Sequence, residues 1–452
     1  SFEGLSFNNR AAEINPTSSI DVENTEFDYP YEFTCNSCSP ANNNWKLANV
    51  WLNAPTGQFV GYWLANTSGM GLSITNVTET GATTAGQTFY FVYRPAVLTF
   101  TGNVTIGSAS VQRGLLNING AGLPPGSSWV IQNNFDANPE GTVSSASNAF
   151  NINFVPNDST SSLTGNICWG SCQCFHVINP GTTSGPLISW NWGAVYKEAF
   201  NGQGIIESPG HYFRFANNIL IVESTVASGG MIGTLAYVSP SVFQYDNNTI
   251  FFVETAAQDQ CVNLGDTSGS GSAIASPSWF RSNLLNGCNT GIVNNVNDTF
   301  STSQCDSAGV CNNLVHATTR DYCVAVNGAC SPTSHGSSGW DDGTHYHPNS
   351  LYGDLPDSTD PYFVNPTLRP TGYDSYCGGP GTLADLGTQF SYRIGPQLGT
   401  YNPCYNVASM LAWLQAGFAP QNLALKTAGF GGTYVGAIPP KKPVWEVPPT
   451  PH

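Results

Sequence analysis

The chain has 452 residues, of which 9% are charged and 40% hydrophobic, and 13 Lys and Arg against 29 Asp and Glu leave a net charge of −16. That charge opposes phosphate backbones and anionic lipid heads, so nucleic acid and membrane insertion are not expected as partners. The apolar content suffices for a core, but charge far below the usual level of about 25% leaves the surface to Ser, Thr, Asn, Gly and Tyr.

In chain order, the sequence begins at Ser1 with no positively charged stretch leading into an apolar one, which reads as a protein whose leader has been removed. Residues 1–94 are expected to form a β-rich capping region. From 95 to 400, short runs rich in Val, Ile, Phe, Tyr and Thr alternate with Gly, Asn, Ser and Pro, as in VLTFTGNVTIG (97–107) and NAFNINFVPN (148–157). This is strand and turn punctuation. FRFANNILIVE (213–223) returns as FQYDNNTIFFVE (243–254), with related pieces at LSFNNR (5–10), WVIQNNF (129–135), WFRSNLL (279–285) and GVCNNLV (309–315). Aligning them sets Asn218, Asn248, Leu284 and Asn313 at one position, spaced by 30, 36 and 29 residues. Periods of that size indicate a repeat architecture. In a β-helix, equivalent residues stack at about 4.8 Å, so Asn amides can bond up a column. Asn also tolerates the left-handed backbone of a tight corner. The alternative is that Asn pairs only mark turns. The most apolar stretch, 218–238, is broken by Glu223, Ser224 and a Gly pair and should not span a bilayer.

Thirteen cysteines are disulfide candidates: Cys35, Cys38, Cys168, Cys172, Cys174, Cys261, Cys288, Cys305, Cys311, Cys323, Cys330, Cys377 and Cys404. Their clustering in loop-like sequence suits an oxidising compartment and a secreted, extracellular or cell-surface location, and the odd count leaves one thiol free or intermolecular. CWGSCQCFH (168–176) lacks the Cys-x-x-Cys-His of haem attachment; zinc held by its three Cys and His176 is the alternative to a disulfide. Sequons at Asn66, Asn76, Asn103, Asn157, Asn247 and Asn297 are candidate glycosylation sites.

The densest polar constellation is SHGSSGWDDGTHYH (334–347). For an enzyme, Asp341, Asp342 and His345 would be catalytic, since glycoside hydrolysis needs paired carboxylates. Asp341, His345 and His347 are metal candidates, because His-x-His on a strand sets both rings on one face. The plain reading is a solvated loop with at most a structural Ca²⁺ and no other cofactor. A lyase needs Ca²⁺-binding acids beside a Lys or Arg, and Arg214 and Arg281 have no Asp cluster near them in sequence. Trp190 and Trp192 in SWNWG fall on one face of a strand, as a sugar-stacking pair or as side-wall core.

Near the C-terminus, CYNVASMLAWLQAGF (404–418) has helical spacing with Gly417 as its stop, within a closing segment 401–438. Residues 439–452, PPKKPVWEVPPTPH, form an extended Pro-rich tail in which Val444, Trp445 and Val447 are candidate assembly anchors.

DPYFVNP (360–366) and QNLALKTAGFGGTYVGAIP (421–439) resemble two phrases near the end of many secreted bacterial β-helix proteins of the pectin-lyase-like superfamily. The resemblance implies an all-β chain: a right-handed parallel β-helix with long loops, stapled by disulfides, with a short C-terminal helix. Tyr434-Val435-Gly436-Ala437 departs from the usual Asp-Ile-Gly-Ala. β-Helix polygalacturonases use an Asp pair, Gly-His-Gly and Arg-Ile-Lys; here Asp341-Asp342 follows Ser334-His335-Gly336, reversing that order, and Arg393-Ile394-Gly395 lacks the Lys. The expected function is therefore a non-catalytic structural surface protein, a subunit that assembles with copies of itself into an extracellular filament or layer. The other reading is a carbohydrate-active enzyme, lyase or glycoside hydrolase, or a glycan-binding module whose partner is a polysaccharide.

Overall fold

The computed structural model describes residues 2–3, 6–8, 19–28, 33–34, 44–53, 60–61, 71–80, 88–93, 95–107, 114–119, 126–138, 148–153, 161–170, 173–178, 187–195, 198–204, 212–223, 229–236, 242–255, 259–264, 279–294, 309–316, 320–326, 329–330, 355, 359–370, 373 and 407–441.

One coil explains the rest. In Val97–Thr101, alternate residues point inward, so Leu98 and Phe100 are fully buried while Val97, Thr99 and Thr101 face out. Gly102 then turns the chain at φ 69° and Asn103 tucks inside. A trailing strand, Val104–Ile106, follows, and Gly114–Asn119 enters a second sheet. In the next coil Ser128–Gln132, Phe135–Ala137 and Asn148–Asn153 pair with these three strands in parallel and in register. Repetition of this pairing makes a parallel β-helix in which the described residues form a 21-stranded sheet across the corner and a 12-stranded sheet opposite. The stack continues below residue 95: Val97–Thr101 pairs with Gly71–Thr80, that with Asn44–Asn53, and that with Ile20–Asp28. Residues 1–94 thus supply coils of the same helix. At the far end, Ala329–Cys330 pairs antiparallel with Arg320–Val326, breaking the parallel pattern.

Inside, like stacks on like. Val22, Leu47, Ile74, Phe100, Ile131, Leu163 and Ile188 form one column, which continues as Phe215, Tyr245 and Phe280 with successive rings edge to face at 6.1 and 5.7 Å. In the second sheet, Phe150 stacks on Phe175 at 5.2 Å. Each such side chain contributes about 1.5–3 kcal/mol by leaving water.

Beside the aliphatic column runs an amide ladder of Asn103, Asn134, Asn166, Asn191, Asn218, Asn248, Asn283 and Asn313, all fully buried. Asn218 shows the pattern. Its backbone N–H and Nδ2 both donate to Oδ1 of Asn248, at 3.0 Å each, and Nδ2 also donates to the Ile188 carbonyl at 3.0 Å. Its own Oδ1 accepts from the N–H and Nδ2 of Asn191, at 3.1 and 2.9 Å. The amide is thereby satisfied on both atoms, as burial demands. Successive rungs are 31, 32, 25, 27, 30, 35 and 30 residues apart. The sequence alignment placed Leu284 on this column; the rung is Asn283, because Ser282 takes the corner position held elsewhere by the first Asn of the pair. Leu284 points to the outside of the coil, beneath Leu425 and Val435.

Asn218→Gly strands donors and acceptors on three neighbours and should cost about 3–5 kcal/mol in urea unfolding. Asn76→Gly, at an exposed left-handed corner (φ 54°) where Gly fits, should stay within about 1 kcal/mol. Equal costs at the two positions would mean that the asparagines only mark turns.

Candidate functional site

The residue before each ladder Asn sits in the left-handed region. In chain order this corner column is Asn24, Asn49, Asn76, Gly102, Asn133, Gly165, Trp190, Asn217, Asn247, Ser282 and Asn312. Asn and Gly belong there, since a short amide or no side chain avoids the clash of Cβ with the following carbonyl. A bulky residue costs about 1–2 kcal/mol. Trp190, at φ 59°, is the one aromatic in the column.

From Trp190 onward the C-terminal segment is bonded to every corner. Helix α1 (Val407–Gly417) buries Met410, Leu411 and Leu414 against the outward side of the trailing strands, including Ile167, Trp192 and Ile219. Gly417 is required where it stands, because a Cβ would lie 2.4 Å from the Asn365 carbonyl oxygen. Gln415 Nε2 donates to the Trp190 carbonyl at 3.0 Å. Asn217 Nδ2 donates to the Tyr434 hydroxyl at 3.0 Å, and Asn247 Nδ2 to the Tyr434 carbonyl at 2.5 Å. Ser282 Oγ accepts from the Phe430 N–H and its carbonyl from the Gly436 N–H, both at 2.8 Å. Asn312 Nδ2 donates to the Ala428 carbonyl at 3.0 Å.

The two phrases that carried the sequence resemblance meet here. Phe363 packs against Phe251 and Phe418 with centroids 5.8 and 5.4 Å away and pairs through its backbone with Pro420. Asp360 and Asn365 fold DPYFVNP by accepting from the N–H groups of Tyr362 and Thr367, at 2.7 and 3.2 Å. Arg369 grips Glu223 through two nitrogens. The segment is a lateral clamp, and Lys441, bonded to the Pro420 carbonyl at 2.9 Å, still belongs to it.

The outward face of the leading strands, before the corner, is built differently. Ser73, Thr99, Val130, Ser162 and Leu187 form one column, and Thr75, Thr101, Gln132, Thr164 and Ser189 the next. None is charged. Charge returns below this face at the Lys46–Glu23 pair and above it at Arg214, which stacks on Leu187 in the next coil, and then where Arg281 bonds Asp246 and lies between the rings of Trp279 and Phe430, at 4.2 and 4.4 Å.

Trp190 and Trp192 do not share a face, as the sequence suggested. Trp190 is at the corner and 39% exposed, whereas Trp192 is fully buried beneath the clamp. Cys168 and Cys174 form a disulfide, so the zinc alternative at 168–176 is not what these two thiols do; His176 pairs in register with Asn151, and its Nδ1 is 3.4 Å from Asn148 Nδ2. Gly193 makes room for that bridge, since a Cβ there would sit 2.6 Å from the Cys174 sulfur. Cys261 pairs with Cys288, and Cys311 is also disulfide-bonded. These bridges suit an oxidising, non-cytoplasmic environment. Among the sequons, Asn103 is a buried ladder rung and Asn247 spends its amide on Tyr434, while Asn76 is exposed. Cys323 and Cys330 lie on described strands. Outside the described residues lie Asp341, Asp342, His345, His347, Val444, Trp445, Val447, Asn66, Asn157, Asn297, Cys35, Cys38, Cys172, Cys305, Cys377 and Cys404. Among the described residues no three His, Cys, Asp or Glu are grouped to hold a metal, and no helix is long and apolar enough to cross a membrane.

Sequence reasoning missed Glu79 and Asp136, both fully buried and in register either side of Thr105. Thr105 donates to Glu79 at 2.6 Å and Asn138 to Asp136 at 3.0 Å. Their signal was an acid at an inward strand position.

Burial raises the Tyr434 phenol above its ordinary value, and the Asn217 hydrogen bond pulls it partly back. The folded chain therefore holds this proton to higher pH than the unfolded one. Its contribution is fully present below about pH 10 and is lost as pH climbs through the folded value. Tyr434→Phe should lose less stability than the wild type as pH rises above about 10 in pH-dependent unfolding. Compared with protein-family models, with curated proteins and with solved structures, the chain finds no match.

Proposed function

We propose that the chain is a secreted structural surface protein: a rigid β-helical rod of the pectin-lyase-like kind whose copies assemble into an extracellular filament or layer. The observation that carries this reading is the uncharged leading-strand face from Ser73 to Ser189 on a chain of net charge −16. Copies of so acidic a protein repel one another except where such a face is presented. An array of hydroxyl, amide and aliphatic groups gives a second copy hydrogen bonds and contact area without desolvating ions. The ladder and clamp support the same role by making the rod stiff. The Pro-rich segment beyond Lys441, with Val444, Trp445 and Val447, would add an extended strand for a neighbour to hold.

Electron microscopy and sizing of the secreted protein test this directly. Wild type should form regular assemblies. Thr99→Glu with Thr164→Glu should give a folded monomer, and a chain ending at Lys441 should assemble at least tenfold more weakly. Monodisperse wild-type particles at high concentration would overturn the reading.

A further inference from the structure

We infer that Trp190 is a stacking platform for a neutral polysaccharide, a role that does not depend on whether the rod assembles. Three independent observations meet at this residue. First, the fold does not ask for tryptophan here: the other occupants of the corner column are Asn, Gly or Ser, and the left-handed backbone at φ 59° disfavours a bulky aromatic. A strained side chain that the packing does not need points to a use outside the packing. Second, Trp190 is 39% exposed, while Trp45, Trp51, Trp129 and Trp192 are buried to within 2%. Its backbone is held at both ends, N–H to the Ala216 carbonyl at 3.2 Å and carbonyl to Gln415 at 3.0 Å, so the ring is presented from a fixed base. The indole N–H has no hydrogen-bond partner among the described residues and is available to a ligand.

Third, the surroundings select the ligand. α1, on one side, has no charged residue in VASMLAWLQAG. The leading-strand face on the other carries the Thr164 hydroxyl, 3.4 Å from that of the buried Ser189, and Gln132. An aromatic face bordered by hydroxyl and amide groups fits the C–H face and equatorial hydroxyls of a pyranose. A lipid surface would find one isolated ring, and Arg214, the cation of the adjoining coil in register with Leu187, is why a charged polymer serves as a control in the test.

The test uses the full chain. Wild type, Trp190→Asn and Trp190→Phe are retained on microcrystalline cellulose, chitin, xylan and insoluble β-1,3-glucan, with polygalacturonate as the charged control, while Tm and sizing are recorded. The expected result is retention of wild type on at least one neutral polymer, at least tenfold loss in Trp190→Asn and substantial recovery in Trp190→Phe. Trp190→Asn should also raise Tm by about 1–2 °C through relief of strain. Four outcomes would each overturn the inference: no neutral polymer retains wild type, Trp190→Asn is retained equally, Trp190→Asn lowers Tm, or it loses self-association in place of polymer binding. The last would assign Trp190 to contact with a second copy.

Discussion

Burying an amide inside a β-helix is permissible only if every one of its hydrogen-bonding atoms is matched, and the ladder meets that condition by handing the problem from coil to coil. Each rung accepts from the one before and donates to the one after, so no single Asn is stable without its neighbours. This fixes register. A slip of one residue would put the corner residue inside and expose the rung, along with the aliphatic column beside it. Coils of 25 to 35 residues therefore stack with their corners aligned, and the differences in length are left to the connections.

The ladder also determines where the C-terminal segment docks. Because the buried rung is always preceded by a left-handed residue, a second row of short polar side chains emerges on the outside. Asn217, Asn247, Ser282 and Asn312 offer amides and a hydroxyl at regular height, and the clamp binds them with main-chain groups of residues 428–437. Inner order thus prints an outer recognition strip. Trp190 stands where the clamp changes from extended chain to helix, which is why its ring escapes the cover that hides Trp192.

Much of this could be read from the sequence. The paired Asn, the thirty-residue spacing and the Val/Ile/Phe runs gave the parallel helix, because stacking makes repetition in space a repetition in sequence. The helix ending at Gly417 was visible from its spacing. Register was misread at one coil because Ser282 replaces the first Asn, so Asn283 stood unpaired and Leu284 was aligned in its place. The first coils were hidden for a similar reason: Thr25, Val50 and Val77 occupy the rung position before Asn103, so the signature is missing there although the strands pair in the same way. Trp190 and Trp192 were paired by strand alternation, which does not hold across a corner. The uncharged face lay beyond sequence reading, since its residues come from five coils and become neighbours only when stacked.

The clamp also changes how the molecule would bear a mechanical load. In a bare β-helix, both the sheet hydrogen bonds and the ladder lie along the long axis, so tension opens coils one after another, each transition loading only the next. The segment from Gln415 to Ala437 crosses several coils from the one at Trp190 to the one at Asn312 and is fastened to each. Those coils are splinted in shear and must part together, whereas the coils before Gly165 have no such fastening among the described residues. Pulled from its ends, the rod would yield from its N-terminal side in small steps and hold its C-terminal half as one block.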